Sequence, residues 1–193
     1  PHVMLSGAGA EEFAKEQGLE MVEDNMYFAT PKTMEWIEKL KQESKKNGTV
    51  GCVVLDKQGN LTAGTSTGGM FKKRWGRIGD SPVIGAGTYA DNNSCAVSCT
   101  GHGEYFIRHA VAFDVCARYK YLKESVEKAA DYIIHTELNT NAGNGGLIAV
   151  DKLGNIAMPY NSGGMFRGFL YKEKGSPEIK KGCGIGKKIV VVG

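Results

Sequence analysis

Two stretches of this sequence align on each other without a gap, and they constrain the fold more than any other feature. Residues 53–71 read VVLDKQGNLTAGTSTGGMF and residues 148–166 read IAVDKLGNIAMPYNSGGMF. Each copy runs from an apolar stretch through Asp-Lys-x-Gly-Asn to Gly-Gly-Met-Phe, a pattern that predicts a β-hairpin. We interpret them as one hairpin used twice in a system of sheets, with Ser162 at the position of Thr67. Two similar turns by chance are the alternative.

The other elements follow from apolar periodicity and helix-start signals. We predict helices at residues 9–17, 30–41, 104–118 and 122–138, and strands at 49–55, 61–67, 83–90 and 94–100. In the helix at 104–118, Ile107 and Phe113 are among the residues expected to face a core. Strands, then two consecutive helices, then strands again predict an α+β fold with helices packed outside the sheets.

Composition and charge argue against two classes of partner. The longest apolar runs, Ala110–Phe113 and Ile189–Val192, are far shorter than the roughly 20 residues that span a bilayer. The net charge of +3 is concentrated in residues 172–188, which contain six lysines and two glutamates. No aromatic residues interleave with these lysines in a nucleic-acid-binding pattern. We therefore expect neither a membrane nor a nucleic acid as partner.

The cysteines and histidines predict no metal site. The five cysteines include no Cys-x-x-Cys pair and leave one over, which is typical of reduced thiols. This usage predicts a cytoplasmic protein. Cys95 and Cys99 would share a face of one strand, but the four histidines are scattered. We expect neither a metal ion nor a cofactor.

The bond between Gly48 and Thr49 is the sharpest chemical feature. Residues 42–47 are polar, have no apolar anchor and predict an exposed linker that can be cut without disturbing a core. Cleavage before Thr49 would free an α-amine with a pKa of about 7.7 to 8.0, able to take the proton from the attacking hydroxyl. A Gly-Thr dipeptide is usually an ordinary strand start, so this hypothesis depends on the motifs that follow.

Five segments that follow one another carry that hypothesis. They are residues 48–51 (GTVG), 65–70 (TSTGGM), 76–82 (GRIGDSP), 85–91 (GAGTYAD) and 98–104 (SCTGHGE). Each is weak alone, but in this order they closely resemble the plant-type L-asparaginase/isoaspartyl peptidase (beta-aspartyl-peptidase) family of N-terminal-nucleophile (Ntn) hydrolases. The resemblance covers about residues 1–171. It implies a four-layer αββα sandwich, made as a precursor that cuts itself before the threonine.

The resemblance also implies which residues do the chemistry. Thr49 would be the nucleophile and, with Gly48, would form the autocleavage site. Thr67 resembles the second threonine, whose hydroxyl orients the nucleophile. The Thr100 hydroxyl and the Gly101 backbone N–H resemble an oxyanion hole, which stabilises the negative charge that develops on the attacked carbonyl.

Substrate binding is implied at a second set of residues. Arg77 and Asp80 resemble the groups that hold the α-carboxylate and α-amine of an amino acid, because a guanidinium fork matches a carboxylate and a carboxylate matches an ammonium. Elsewhere a solvated Arg–Asp pair is the default interpretation. Gly101 and Gly103 would lie against the substrate, and Gly103 lets the chain pass close to it. His102 has no role in the family motif, and we interpret it as structural.

The reaction implied is acyl transfer in two steps. The threonine attacks the side-chain amide of L-asparagine or the β-peptide carbonyl of a β-aspartyl dipeptide, and ammonia or an amino acid departs. Water then releases L-aspartate from the ester. The family further implies that the α and β pieces of one precursor stay together and that two αβ units form a dimer.

The front of the chain departs from the family pattern. Only 48 residues precede Thr49, and the His-Gly-Gly-Ala-Gly motif and the cation-binding loop of the α portion are absent. We therefore expect residues 1–48 to be the remnant of an α-subunit plus linker, 49–171 the catalytic core of the β-subunit, and 172–193 a basic tail of uncertain structure. The sandwich would be incomplete.

Two other functions remain open. Glycosylasparaginases share Gly-Arg-x-Gly-Asp-Ser-Pro and much of Thr-Gly-His-Gly-Glu, but there we expect His-Asp-Thr at the cleavage point, where this chain has Asn47-Gly48-Thr49. The other alternative is an inactive fragment that kept the fold and cannot mature.

Overall fold

The structure, a computed structural model, describes residues 4–31, 34–35, 48–70, 73–172, 179–184 and 189–192. The chain divides into two compact units, Pro1–Lys45 and Lys46–Gly193. Most of the predicted helix at 30–41, and all of the predicted linker at 42–47, lie outside the described residues.

The described residues of the first unit include an α-helix and a short 3-10 helix, and residues 31, 34 and 35 are also helical. Helix α1 spans Gly7–Glu16, close to the predicted 9–17, and a 3-10 helix spans Asn25–Phe28. Gly18 follows α1 with a φ of 69°, a left-handed conformation that glycine adopts without strain and that commonly ends helices. The Asp24 side chain accepts a hydrogen bond from the Met26 N–H at 2.8 Å and so caps the 3-10 helix.

The second unit is built on two β-sheets. The first has five strands in the order β2-β1-β9-β7-β8. Its strands are β1 (Thr49–Leu55), β2 (Leu61–Thr67), β7 (Arg167–Lys172), β8 (Ile179–Gly184) and β9 (Ile189–Val192). Strands β1 and β2 pair antiparallel, and β9 lies parallel to both β1 and β7. Residues 172–193, for which we expected a tail of uncertain structure, thus contribute β8 and β9.

The second sheet has four antiparallel strands in the order β3-β4-β5-β6. They are β3 (Thr88–Ala90), β4 (Cys95–Gly101), β5 (Gly145–Asp151) and β6 (Ile156–Ala157). The predicted strand at 83–90 is wrong except at its end. The chain before β3 turns instead around the Asp80 carbonyl oxygen, which accepts hydrogen bonds from the N–H groups of Val83 and Gly87 at 2.9 and 3.1 Å.

Helices follow β4 and precede β5. They are α2 (Gly103–Arg108), α3 (Val111–Tyr121), α4 (Val126–Tyr132), a π-helical turn (Ile133–Glu137) and α5 (Leu138–Thr140). The single helix predicted at 122–138 begins only at Val126, where the Ser125 hydroxyl accepts a hydrogen bond from the Lys128 N–H at 3.2 Å. None of the helices in the described ranges is long and apolar enough to cross a membrane.

The continuous helix predicted at 104–118 is also wrong, because it breaks at Ala110. This residue has a φ of 45° and separates α2 from α3. The first turn of α3 donates to the preceding loop instead, from the N–H of Phe113 to the Gly85 carbonyl at 2.8 Å and from Ala112 to Ala86 at 3.1 Å. Phe113 is 42% exposed and Ile107 is 39% exposed, rather than buried as predicted, because the buried faces of the two helices carry other residues, among them Phe106 and Val111.

Two apolar cores hold the second unit together. Successive side chains of β4 and β5 point to opposite faces, so these strands contribute to both cores. The core between this sheet and the helices includes Val97, Phe106, Ile133, Ile134 and Leu147. The core between the two sheets includes Val53, Leu61, Ala96, Ile148 and Val150. The described residues of this unit therefore form helix, sheet and sheet layers, and the predicted α+β class is confirmed.

The two hairpins share the same turn. In the first, Asp56 Oδ1 accepts hydrogen bonds from backbone N–H groups two and four residues further on, and Oδ2 accepts from the Asn60 side-chain amide, all within 2.7–2.9 Å. In the second, Asp151 makes the same three bonds, with Asn155 in place of Asn60, at 2.8–2.9 Å. One copy lies in each sheet. The shared geometry favours a repeated hairpin unit over chance similarity.

Candidate active site

Thr49 and Thr67 face each other at the open end of the first hairpin. The antiparallel register of β1 and β2 pairs them directly, and their Oγ1 atoms are 3.4 Å apart. The Thr67 hydroxyl also lies 3.4 Å from the carbonyl oxygen of Gly48, to which it donates, and it accepts from the Gly69 N–H at 3.0 Å. One hydroxyl therefore contacts both the predicted nucleophile and the carbonyl oxygen of the predicted cleavage site.

The turn after Thr67 is fixed by glycine. Gly69 has a φ of 78°, and a Cβ there would lie 2.8 Å from the Lys73 ammonium nitrogen. That ammonium donates a hydrogen bond of 2.7 Å to the Gly68 carbonyl oxygen. A side chain at Gly69 would therefore strain the backbone and displace Lys73 from the segment that holds the Thr67 hydroxyl.

Arg77 is held by Glu104, a residue to which the sequence analysis gave no role. The Arg77 Nε and Nη2 atoms donate to the two oxygens of Glu104 at 2.7 and 2.8 Å, a bidentate pair. The hydrogen bonds from Arg77 lower the pKa of Glu104 from its usual 4.5 to about 2. The same pairing raises the pKa of Arg77. Glu104 occupies the side of the guanidinium that carries Nε and Nη2. The third nitrogen of Arg77, Nη1, points away from Glu104.

The signal that could have identified Glu104 was its position. It directly follows Gly103 in the Thr-Gly-His-Gly-Glu motif and lies in the first turn of α2. The His102 imidazole also approaches it, with Nε2 3.3 Å from a Glu104 oxygen. An acid at the start of a helix is common, which is why the sequence alone did not single it out.

Asp80 and Gly103 lie beside Arg77. Asp80 is buried, with 6% of its surface exposed. A Cβ built on Gly103 would come within 2.7 Å of Asp80 Oδ1 and 3.1 Å of Arg77 Nη2. The missing side chain of Gly103 therefore lets the charged ends of both residues approach one point, which is the arrangement that a substrate carrying a carboxylate and an ammonium needs.

Thr100 and Gly101 lie at the end of β4. Gly101 has a φ of 152°, and a Cβ there would collide with the Asn144 carbonyl oxygen and lie 2.7 Å from a Phe106 ring carbon. Only glycine fits this position. Thr100 is half-buried, and Gly101 is exposed. A hydroxyl and a backbone N–H at an open strand end can serve as paired donors to an oxyanion.

The structure thus brings the predicted residues together in three groups. The first group is Thr49 with Gly48 and Thr67, the second is Arg77 with Asp80 and Gly103, and the third is Thr100 with Gly101. Strands β1 and β2, which carry the first group, both pack against β4, which carries the third. In the described part of the chain, no cluster of three or more histidine, cysteine or acidic side chains is arranged to hold a metal ion.

Fold and site together define a mixed α+β protein with a threonine pair at the head of a hairpin and an arginine, an aspartate and glycines on neighbouring loops. The family described as asparaginase matches residues 1–179 of the sequence. The chain belongs to this family, which confirms the resemblance found in its motifs.

Curated relatives agree with this assignment. An isoaspartyl peptidase of Salmonella typhimurium is 46% identical over 185 residues, covering 89% of this chain and 59% of the relative. An isoaspartyl peptidase of Escherichia coli is 42% identical over 198 residues, covering 91% and 62%. An isoaspartyl peptidase/L-asparaginase of Mus musculus is 43% identical over 177 residues, covering 86% and 52%. The chain therefore spans between half and two thirds of the length of these relatives.

Proposed function

We propose that this chain carries the nucleophile-bearing part of an amidohydrolase that hydrolyses L-asparagine and β-aspartyl (isoaspartyl) dipeptides and releases L-aspartate. The observation that carries the proposal is the contact of the Thr67 hydroxyl with both the Thr49 hydroxyl and the Gly48 carbonyl oxygen, each at 3.4 Å. The names of the relatives, isoaspartyl peptidase and L-asparaginase, support the substrate class.

Self-cleavage would come first. The Thr49 hydroxyl attacks the Gly48 carbonyl carbon, and the Thr67 hydroxyl donates a hydrogen bond to the carbonyl oxygen as it becomes negatively charged. Collapse breaks the Gly48–Thr49 C–N bond, and the nitrogen takes a proton to become the free α-amine of Thr49. Water then cleaves the ester, leaving a carboxylate on Gly48 and a free hydroxyl on Thr49.

Substrate hydrolysis would reuse the same hydroxyl. The α-amine of Thr49 takes the hydroxyl proton as the oxygen attacks the side-chain carbonyl of the substrate. The Thr100 hydroxyl and Gly101 N–H then donate to the oxyanion. The amine passes its proton to the leaving ammonia or amino acid, and water releases L-aspartate in a second addition. Neither step requires a metal ion or a cofactor.

Recognition of the amino-acid head group is proposed for the second group of residues. The Arg77 guanidinium would pair with the substrate α-carboxylate, and Asp80 with the α-ammonium, on the two sides of Gly103. The bidentate bond to Glu104 supports this role, because it fixes the plane of the guanidinium before the substrate arrives.

The proposed assembly is based on the family resemblance. We propose that a second helical layer on the five-stranded sheet completes a four-layer αββα sandwich, and that the α and β pieces stay associated and dimerise as αβ units. We also propose a cytoplasmic location, because the sequence has an odd number of cysteines and no Cys-x-x-Cys pair.

Aspartate release from a β-aspartyl dipeptide tests the proposal. We expect the purified chain to hydrolyse β-aspartyl-leucine and L-asparagine but not α-aspartyl-leucine, and Thr49→Ala to hydrolyse none of them. Hydrolysis of a glycoasparagine in preference to these substrates would contradict the proposed leaving groups. Equal hydrolysis by Thr49→Ala would contradict the proposed nucleophile.

A further inference from the structure

We propose that Thr65 is a positioning residue whose hydroxyl connects the three groups of the site. This inference rests on the proposed function, because it concerns the geometry that the reaction needs. We call the contacts of Thr65 with Ser98 and Gly87 the Thr65 bridge.

One arrangement of the two hydroxyl protons satisfies both hydrogen bonds of the Thr65 bridge. The Thr65 hydroxyl donates to the Gly87 carbonyl oxygen at 3.1 Å, and its oxygen lies 2.7 Å from Ser98 Oγ. A hydroxyl has a single proton to donate. Since that of Thr65 goes to Gly87, the Ser98 hydroxyl donates to Thr65. Ser98 is fully buried, so Thr65 supplies its hydroxyl with a partner where water does not reach.

Each partner in the bridge belongs to an element that carries one group of the site. Thr65 lies two residues before Thr67 on β2, and Ser98 lies two residues before Thr100 on β4. Because side chains two apart on a strand share a face, the bridge joins the faces that carry these threonines. The N–H of Gly87 donates to the Asp80 carbonyl oxygen at 3.1 Å, which extends the connection to the substrate-binding loop.

The loop at Gly87 leaves little room for adjustment. The Gly87 carbonyl oxygen also accepts a hydrogen bond from the Cys99 N–H at 2.8 Å. A Cβ on Gly87 would lie 2.7 Å from Asp80 Oδ2. The Thr65 hydroxyl thus enters a packed polar junction between two sheets and a loop. Loss of that hydroxyl removes the polar contact between β2 and β4 and loosens the spacing from Thr67 to Thr100.

A looser spacing should affect turnover more than binding. Misplacement of reacting groups by about 1 Å can cost roughly 10²-fold in rate. The Arg77 side chain is held by Glu104 and not by Thr65, so the main contact to the substrate carboxylate should persist. We therefore expect kcat to fall while KM changes little.

The test compares Thr65→Val with Thr62→Val. Valine keeps the branched shape of threonine and replaces its hydroxyl with a methyl group, and Thr62 is an exposed threonine on the same strand. We expect Thr65→Val to lower kcat for β-aspartyl-leucine about tenfold with KM within about threefold. Thr62→Val should match the wild type, and Thr65→Ser, which keeps the hydroxyl, should restore most of kcat.

Amide hydrogen exchange tests the bridge without turnover. We expect the N–H groups of Gly87 and Cys99 to exchange about tenfold faster in Thr65→Val than in the wild type, with no change in Thr62→Val. Ser98→Ala removes the contact with Ser98 but leaves the Thr65–Gly87 hydrogen bond, so it should lower kcat while Gly87 and Cys99 exchange at rates closer to those of the wild type. The double variant should be no worse than Thr65→Val, because loss of the Thr65 hydroxyl already removes the contact with Ser98.

The outcomes separate this inference from the proposed function. A wild-type chain without hydrolysis or self-cleavage contradicts the proposed function, while the exchange rates of Gly87 and Cys99 still decide whether the bridge holds. Unchanged exchange in folded Thr65→Val, or a kcat within twofold of the wild type in an active chain, overturns the bridge. If Thr65→Val does not fold, the kcat criterion applies to Ser98→Ala, which removes the Thr65–Ser98 contact between β2 and β4.

Discussion

At the scale of single residues, Thr67 has the most contacts relevant to the chemistry. Its hydroxyl is placed to donate to the Gly48 carbonyl oxygen before cleavage and to accept from the Thr49 hydroxyl. The same side chain would therefore serve self-cleavage and substrate hydrolysis. The predicted role of Thr67 as the residue that orients the nucleophile is consistent with this position and stays a prediction until it is tested.

Removal of the Thr67 hydroxyl should slow self-cleavage. In Thr67→Val the Gly48 carbonyl loses its hydrogen-bond donor, and the loss of one such donor typically costs about 10² to 10³ in rate. Intact-mass measurements over time give the rate of splitting at Gly48–Thr49. Thr67→Ser, which keeps the donor, should split at a rate close to that of the wild type. Equal rates for Thr67→Val and the wild type would show that this hydrogen bond has no part in cleavage.

The Arg77–Glu104 pair predicts a stability effect at acid pH. The pKa of Glu104 is about 2 in the folded chain and near 4.5 without the pairing, so its contribution to stability is complete above about pH 4.5. It should be lost as the pH falls towards 2. We expect the difference in Tm between the wild type and Glu104→Gln to be constant above pH 5 and to shrink below pH 4.

The control for this effect is an exposed glutamate that does not contact Arg77. Glu127 lies exposed on α4, so Glu127→Gln removes one negative charge without touching Arg77. A Tm difference for Glu104→Gln that persists unchanged to pH 2 would argue that the pair contributes no charge-dependent stability.

At the scale of elements, the repeated hairpin shows how far a local pattern determines structure. The Asp-Lys-x-Gly-Asn sequence forms the same turn twice, because the hydrogen bonds involved are all made within five residues. The strands that the turn connects differ. Strand β2 has seven residues, whereas β6 has two. Their length depends on pairing partners elsewhere in the chain, which the turn sequence does not encode.

The two turns should differ in their contribution to stability. Asp151 is 1% exposed, whereas Asp56 lies at an exposed turn. Asp151→Ala leaves the N–H groups of Leu153 and Asn155 without their acceptor in a part-buried turn, at a cost of about 1–3 kcal/mol for each group that water cannot reach. We expect urea denaturation to show a much larger loss for Asp151→Ala than for Asp56→Ala. Equal losses would mean that burial does not distinguish the turns.

Helix α3 shows where a local pattern is insufficient. Apolar periodicity predicts one helix across Ala110, but the first N–H groups of α3 bond to the carbonyls of Gly85 and Ala86. That contact joins residues more than 25 positions apart. Sequence periodicity therefore predicts that helices occur here, and the loop before β3 determines where one of them begins.

At the scale of the whole molecule, the α+β class could be predicted and the extent of the sheets could not. The lysines at 172–188 suggested a basic tail of uncertain structure. Strand β9 nevertheless pairs with β7, which is near it in sequence, and with β1, which is far from it. Such parallel pairing is decided by long-range contacts that composition does not show. Most candidate site residues came from motif order, while Glu104 and Thr65 emerged only from their contacts.

Intact mass of the purified chain over time tests the central claim most directly. We expect the wild type to split into residues 1–48 and 49–193, and Thr49→Ala to stay whole under the same conditions. The new N-terminus, identified by sequencing the larger piece, should be Thr49. A wild-type chain that never splits, or a Thr49→Ala chain that splits at the same bond, would contradict Thr49 as a self-activating nucleophile.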